Sequence, residues 1–110
     1  MTMSLIKKCV AIVLLGCSSF AFAAGETAGK IETILIYQGH TGLLIKLSNM
    51  INPDACARID WFILPKTHVY YKEIYSLLLA TNYADKSITI DVAGCDQGFP
   101  VITNVMSQKY

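Results

Sequence analysis

The chain has 110 residues, of which 54% are hydrophobic and 15% are charged, and its formal net charge is +1. This length accommodates one domain rather than two. The sparse, balanced charge argues against a nucleic-acid-binding surface, and the large apolar fraction excludes intrinsic disorder.

The first 23 residues have the pattern of a secretory signal peptide. Lys7 and Lys8 form a positively charged region, an apolar run follows over residues 9–22, and Ala21-Phe22-Ala23 has the small residues that precede a cleavage site. Because this run is shorter than the roughly 20 apolar residues that cross a bilayer, we predict cleavage after Ala23 and no membrane span. The expected product is a periplasmic or secreted bacterial protein.

The stretch Leu14–Cys17 offers an alternative interpretation of the same segment. It resembles the lipobox of bacterial lipoproteins, in which Cys17 would carry a lipid and become the first residue. In that case the lipid would anchor the protein to a membrane.

Cleavage after Ala23 leaves seven basic and eight acidic side chains, a net charge of −1, and two cysteines, Cys56 and Cys95. Two cysteines in an exported domain are expected to form a disulfide, because the compartment is oxidising. The alternative is a pair of buried free thiols. Cys56 and Cys95 lie too far apart in the sequence to resemble the closely spaced ligand pairs of zinc sites, so no metal is expected.

Three strands are predicted in the first half of the mature chain. Residues 24–28 are small and polar and are expected to be a flexible lead-in. The apolar runs Ile31–Tyr37 and Leu43–Ser48 are expected to form a hairpin around the glycine-containing turn Gln38–Gly42. The third strand is Ile59–Leu64, which contains Trp61.

The second of these strands alternates between apolar and polar residues, which predicts one buried and one exposed face. The expected inward residues are Leu43, Ile45 and Leu47, and the expected outward residues are Leu44, Lys46 and Ser48.

In the second half of the chain the spacing of apolar residues changes. Apolar residues recur at helical spacing over Val69–Ala84, which predicts an amphipathic helix with Thr67 as its N-cap. The alternating run Lys86–Val92 and the apolar run Val101–Met106 predict two further strands.

This order of three strands, a helix and two strands is typical of a five-stranded OB barrel, so the fold class is expected to be mainly β with one helix. The single OB-like domain would span residues 29–110. An open α+β sheet with the helix packed on one face is the alternative.

No residue pattern predicts catalysis or a cofactor. The mature chain has two histidines, His40 and His68, and lacks a nucleophile elbow, a paired-histidine zinc helix and a phosphate-binding glycine loop. We therefore expect a binding protein rather than an enzyme.

OB barrels bind ligands on the loops that join strands one to two and four to five. Aromatic rings and polar side chains in or near these segments suit a glycan, which needs no net charge for recognition. The candidate ligand-binding residues are Tyr37, Gln38, His40, Thr41, Trp61, Asp96, Gln97 and Phe99.

A second candidate surface lies on the helix. Leu79 and Tyr83 are one helical turn apart and lie off the inward arc. An exposed apolar pair of this kind could contact a neighbouring subunit or a protein partner, so a homo-oligomer and a periplasmic interaction or inhibitor module are both open alternatives.

Several segments together resemble small exported bacterial proteins akin to the B subunit of subtilase cytotoxin. They are Gly29–Ile36, Cys56, Trp61, Pro65, Tyr71–Ile74, Leu77–Ala80, Ile88–Val92 and Cys95. The resemblance covers about residues 29–106. It implies an OB fold, a disulfide, pentamer formation and glycan binding.

Overall fold

The computed structural model describes residues 24–107. The predicted signal peptide and the alternative lipid attachment at Cys17 lie outside the described residues. Within residues 24–107, no helix is long and apolar enough to cross a membrane.

The described chain contains five strands and one helix. The strands are β1 (Ala24–Leu35), β2 (Gly42–Leu47), β3 (Phe62–Pro65), β4 (Ser87–Asp96) and β5 (Phe99–Met106), and the helix α1 (Tyr71–Tyr83) lies between β3 and β4 in the sequence. The prediction of a mainly β protein with one helix is confirmed.

The predicted flexible lead-in is wrong, because residues 24–28 belong to β1. The first part of β1, Ala24–Lys30, pairs antiparallel with β4. From Ile31 onward the strand pairs antiparallel with β2. One long strand therefore contributes to two ladders.

The small residues that suggested flexibility serve close packing instead. A Cβ atom added at Gly29 would overlap the Ser48 hydroxyl oxygen, and one added at Gly25 would lie 2.8 Å from the Ile51 side chain. Larger residues here would require the Ser48 or Ile51 side chain to move.

The strands pair in the order β1-β2-β3-β5-β4, and β1 and β4 also pair, so the sheet closes on itself. β5 lies between β3 and β4, and the order around the sheet therefore differs from the order along the chain. The junction of β3 with β5 is parallel and rests on one registered pair, Ile63 with Val101. This closed arrangement of strands is not the open α+β sheet that the sequence left as an alternative.

The main core fills the inside of this sheet, and α1 covers it with Ile74 and Leu78. Inward side chains from the five strands make up the rest, and they include Ile45, Phe62 and Ile90, which have no exposed surface. Burying such a side chain stabilises the fold by about 1.5–3 kcal/mol.

The expectation that Leu44 faces solvent is wrong. Leu44 is buried in a second cluster on the opposite side of β2 from Leu43 and Ile45. We call this second cluster the outer cluster; its buried members are Leu44, Ile63 and Phe99, and Leu35, Trp61 and Val101 pack against them. The strand β2 is consequently buried on both faces.

The helix starts later than predicted, and Thr67 is not its N-cap. The cap position is Tyr70, which makes no side-chain capping bond. His68 takes over part of this role, because its Nδ1 accepts a hydrogen bond from the Tyr70 backbone N–H (3.0 Å). The residues before α1 form turns.

Cys56 and Cys95 form the predicted disulfide, with their Cα atoms 5.7 Å apart. The bond joins the segment between β2 and β3 to the end of β4. Two further contacts hold the same segment: the Asp54 carboxylate accepts a hydrogen bond from the Gly94 N–H (2.6 Å), and the Arg58 N–H donates to the Gly98 carbonyl (2.8 Å).

Candidate functional site

The loop between β1 and β2 meets the turn between β4 and β5 at one end of the sheet. Gln97 joins them, because its Oε1 accepts a hydrogen bond from the Thr41 N–H (3.0 Å) and its Nε2 donates to the Gly39 carbonyl (3.2 Å). The Thr41 hydroxyl donates to the Asp96 carboxylate (2.6 Å). We call the surface formed by residues 36–41, Arg58 and residues 96–99 the loop surface.

The backbone of the β4–β5 turn explains how Gln97 reaches the other loop. Gln97 and Gly98 both have positive φ angles, 51° and 84°, as the central residues of the tightest hairpin turns do. Glycine adopts this conformation readily, whereas a glutamine does so at a cost. The hydrogen bonds of its amide group to Gly39 and Thr41 offset that cost.

Thr41 and Gln97 therefore hold the loops together rather than projecting free polar groups. His40 Nδ1 also lies 3.2 Å from Gln97 Oε1, so this one amide oxygen organises two consecutive residues. These polar residues were predicted as ligand contacts, and the geometry makes them the framework of the loop surface.

Phe99 forms the floor of the loop surface. Its side chain is 1% exposed; the His40 ring contacts it edge-on with centroids 5.7 Å apart, and the Arg58 guanidinium carbon lies 4.7 Å from its ring centroid. A ligand could not stack on Phe99 without displacing one of these two residues.

Trp61 is likewise covered. It precedes β3, packs half-buried against the outer cluster, and has the Lys46 ammonium 4.7 Å from its ring centroid. This cation–π contact occupies a face that the sequence suggested for a ligand.

Tyr37 is the predicted aromatic residue that the structure leaves open. Its side chain is 64% exposed, and its ring lies 5.8 Å from the His40 ring, centroid to centroid. Its neighbours Ile36 and Gln38 are also exposed. The accessible part of the loop surface is thus the segment Ile36–Gln38, supported from below by His40.

Arg58 belongs to the loop surface and was not predicted there. Beyond covering Phe99, it donates two hydrogen bonds to the Asp60 carboxylate, from Nε (3.2 Å) and Nη2 (2.6 Å). These bonds lower the pKa of the Asp60 carboxyl below its usual value. The signal in the sequence was its position two residues after Cys56, since the disulfide brings that segment to the turn after Cys95.

The second predicted surface is on α1. Tyr83 is 86% exposed, whereas Leu79 is half-buried. The two residues therefore do not form an equally exposed pair, and Tyr83 presents most of the accessible surface.

Among residues 24–107, no group of three or more histidine, cysteine, aspartate or glutamate side chains could hold a metal ion. Comparisons with protein-family models, with curated proteins and with solved structures found no match to the chain.

Proposed function

We propose that this protein is an exported, non-enzymatic binding protein with an OB-like barrel, and that its loop surface binds a glycan or a glycosylated receptor. The single observation that carries the proposal is the exposed Tyr37 ring on a loop that is fixed from both sides. An exposed aromatic ring on a rigid support loses little conformational entropy on binding, which favours recognition of a flat apolar face.

The hydrogen-bonding groups near Tyr37 suit a polyhydroxylated ligand. The Tyr37 hydroxyl, the Gln38 amide and the His40 Nε2 have no hydrogen-bond partner among the described residues. They belong to residues 37–40, and the Tyr37 ring among them can stack on the apolar face of a sugar. No net charge is needed for this mode of recognition.

The strand pairing supports the OB-like assignment. One long β1 shared by two ladders, a helix between β3 and β4, and a parallel junction of β3 with β5 agree with a five-stranded barrel closed through β1 and β4. In OB folds the loops that meet here are the ones that bind ligands.

The disulfide supports the proposed export, because such bonds persist in oxidising compartments. Cleavage after Ala23 would make Ala24, the first residue of β1, the first residue of the mature protein. The periplasm and the extracellular medium both fit this proposal, and lipid attachment at Cys17 remains its alternative.

A printed array of defined oligosaccharides tests the proposal, followed by titration calorimetry with the sugar that binds most tightly. We expect Tyr37→Ala to weaken that binding at least about fivefold, because the stacked ring contributes about 1 kcal/mol beyond its buried area. Tyr83→Ala is the matched control, since it removes another exposed tyrosine, from α1.

Gln97→Ala tests whether binding depends on the fixed position of the β1–β2 loop in addition to direct contacts with the sugar. It removes the bonds that hold Gly39 and Thr41, so we expect weaker binding together with faster amide hydrogen exchange in residues 36–41. A folded protein that binds no sugar on the array, or equal losses in Tyr37→Ala and Tyr83→Ala, would contradict glycan binding at the loop surface.

The second candidate function is a periplasmic protein-interaction or inhibitor module that uses α1. The 86% exposure of Tyr83 favours it. A protein partner that co-purifies with the wild type and is lost with Tyr83→Ser, but not with Tyr37→Ala, would support this function.

A further inference from the structure

His68 connects the start of α1 to β5 through both nitrogens of its ring. Nε2 lies 2.8 Å from the Thr103 carbonyl oxygen, and Nδ1 lies 3.0 Å from the Tyr70 backbone nitrogen. The backbone of the same residue contributes as well, because the His68 carbonyl accepts a hydrogen bond from the Tyr71 N–H (3.0 Å). One half-buried imidazole therefore ties the first residues of the helix to the sheet.

The two ring contacts fix the protonation state of His68. A carbonyl oxygen can only accept a hydrogen bond, so Nε2 must carry a proton, and a backbone N–H can only donate, so Nδ1 must be unprotonated. The neutral imidazole with its proton on Nε2 is the one form that satisfies both partners. A second proton, added at Nδ1, would point one donor at another, and the bond from Tyr70 would be lost.

A groove of about 260 Å³ between α1 and β5 lies beside this connection, and His68 lines it. Its helix wall begins at Tyr70 and its strand wall includes Thr103, so the two partners of the His68 ring lie on opposite walls. The Tyr70 carbonyl also accepts the first hydrogen bond within the helix, from the Ile74 N–H (2.8 Å). The position of Tyr70 therefore sets where the helix wall starts.

We propose that His68 is an acid-sensitive connection, in which protonation at Nδ1 breaks the bond to Tyr70 and releases the start of α1, one wall of the groove. The bond from Nε2 to Thr103 persists, because a charged donor bonds a carbonyl more strongly than a neutral one does. The helix start does not compensate, since its free N–H groups carry partial positive charge and disfavour a neighbouring cation. Histidine is the side chain whose charge ordinarily changes between about pH 5 and 8, so the release is expected over this range.

The charged groups around His68 keep their charge over the same range. From α1, Glu73 lines the groove with it, whereas β5 contributes uncharged side chains to the groove. On β4, the Asp91 carboxylate accepts a hydrogen bond from the amide of the groove residue Asn104 (3.3 Å), and Lys66 lies two residues before His68. Carboxylates, phenols and ammonium groups ordinarily titrate outside about pH 5–8, so the imidazole is the group that changes.

NMR of the purified ¹⁵N-labelled protein at about pH 7.5 and about pH 5 tests the proposal. Long-range ¹H–¹⁵N correlations should show the Nε2–H tautomer of His68 at the higher pH and the imidazolium at the lower. The protection factor of the Tyr70 amide compares its hydrogen exchange with that of an unstructured peptide at the same pH. It should fall about fivefold on acidification, as expected for one lost hydrogen bond, with a smaller fall at Ile74.

His68→Asn is the matched variant, because an asparagine side chain can accept the Tyr70 N–H in an Asx turn and does not titrate. Its Tyr70 amide should have the same protection factor at both pH values. His40→Asn removes the other histidine of the chain and should retain the wild-type fall at Tyr70. Circular dichroism of each variant confirms that it is folded.

Three results would overturn the proposal. One is a neutral His68 ring with its proton on Nδ1 at the higher pH, since it could not accept the Tyr70 N–H. Another is a wild-type Tyr70 amide with the same protection factor at both pH values. The third is an equal fall in His68→Asn and the wild type, since a different group would then be responsible. If His68→Asn does not fold, the first two results, read from the wild type, still decide.

Discussion

Replacing both disulfide cysteines tests how much of the stability of this domain depends on one covalent link. Cys56 and Cys95 are 39 positions apart. Closing a loop of that size removes about 13 cal/mol/K of entropy from the unfolded chain, which corresponds to about 4 kcal/mol at 25 °C. Domains typically have about 5–15 kcal/mol in total, so this loss is a large share of it.

We expect Cys56→Ala/Cys95→Ala to lower the free energy of unfolding by about 4 kcal/mol and the melting temperature by roughly 15–30 °C. The folded structure should change little, because two other contacts fix the same segment. They are the bond from Gly94 to the Asp54 carboxylate and the bond from Arg58 to the Gly98 carbonyl. The effect therefore arises mainly in the unfolded state.

Urea unfolding followed by the fluorescence of Trp61, the single tryptophan, measures this loss. Wild-type protein treated with dithiothreitol is the control, and it should unfold at nearly the same urea concentration as the double variant. A loss below about 1 kcal/mol would refute the loop-entropy argument. A folded variant with an altered Trp61 emission would show instead that the bond shapes the native segment.

Three further predictions concern single residues. Gly42→Ala should destabilise the fold by about 3 kcal/mol in thermal unfolding, because the new Cβ would overlap the Leu64 carbonyl oxygen; unchanged stability would contradict this packing. In an NMR pH titration the carboxyl of Asp60 should show a lowered pKa that rises in Arg58→Ala; the small stabilisation from this pair is present above the ordinary carboxyl pKa and is lost as the pH falls through the lowered value. Burial raises the pKa of the Tyr71 hydroxyl, so stability should fall as the pH rises above the ordinary tyrosine pKa, and Tyr71→Phe should reduce that loss in alkaline unfolding.

Local sequence patterns predicted the strands and the helix because each of these elements is reflected in the spacing of apolar residues along a short stretch of chain. These patterns misjudged residues 24–28 because small residues occur both in flexible segments and where two segments pack closely together. In β1 the glycines allow the segment after β2 to approach closely, and a contact between segments 19 or more residues apart leaves no local trace in the sequence pattern. The buried position of Leu44 escaped notice for the same reason, since it depends on Phe99 from β5.

The candidate site also has features that the sequence could predict and features that it could not. Three of the predicted residues, Tyr37, His40 and Gln97, lie near one another because strand order places their two loops at one end of the sheet. The sequence could not show that Phe99 and Trp61 are covered. Each is shielded by a cation, Arg58 or Lys46, that lies far from it in the chain or on another strand.

Under the proposed function, Phe99 has a consequence for how the loop surface could acquire new specificities. Its ring is part of the outer cluster and also the base under His40, so a substitution there would change the loop surface and lower the free energy of unfolding together. The tip at Ile36–Gln38 makes no such contribution to the interior. Selection for a different ligand would therefore be expected to change the tip and to spare the ring beneath it.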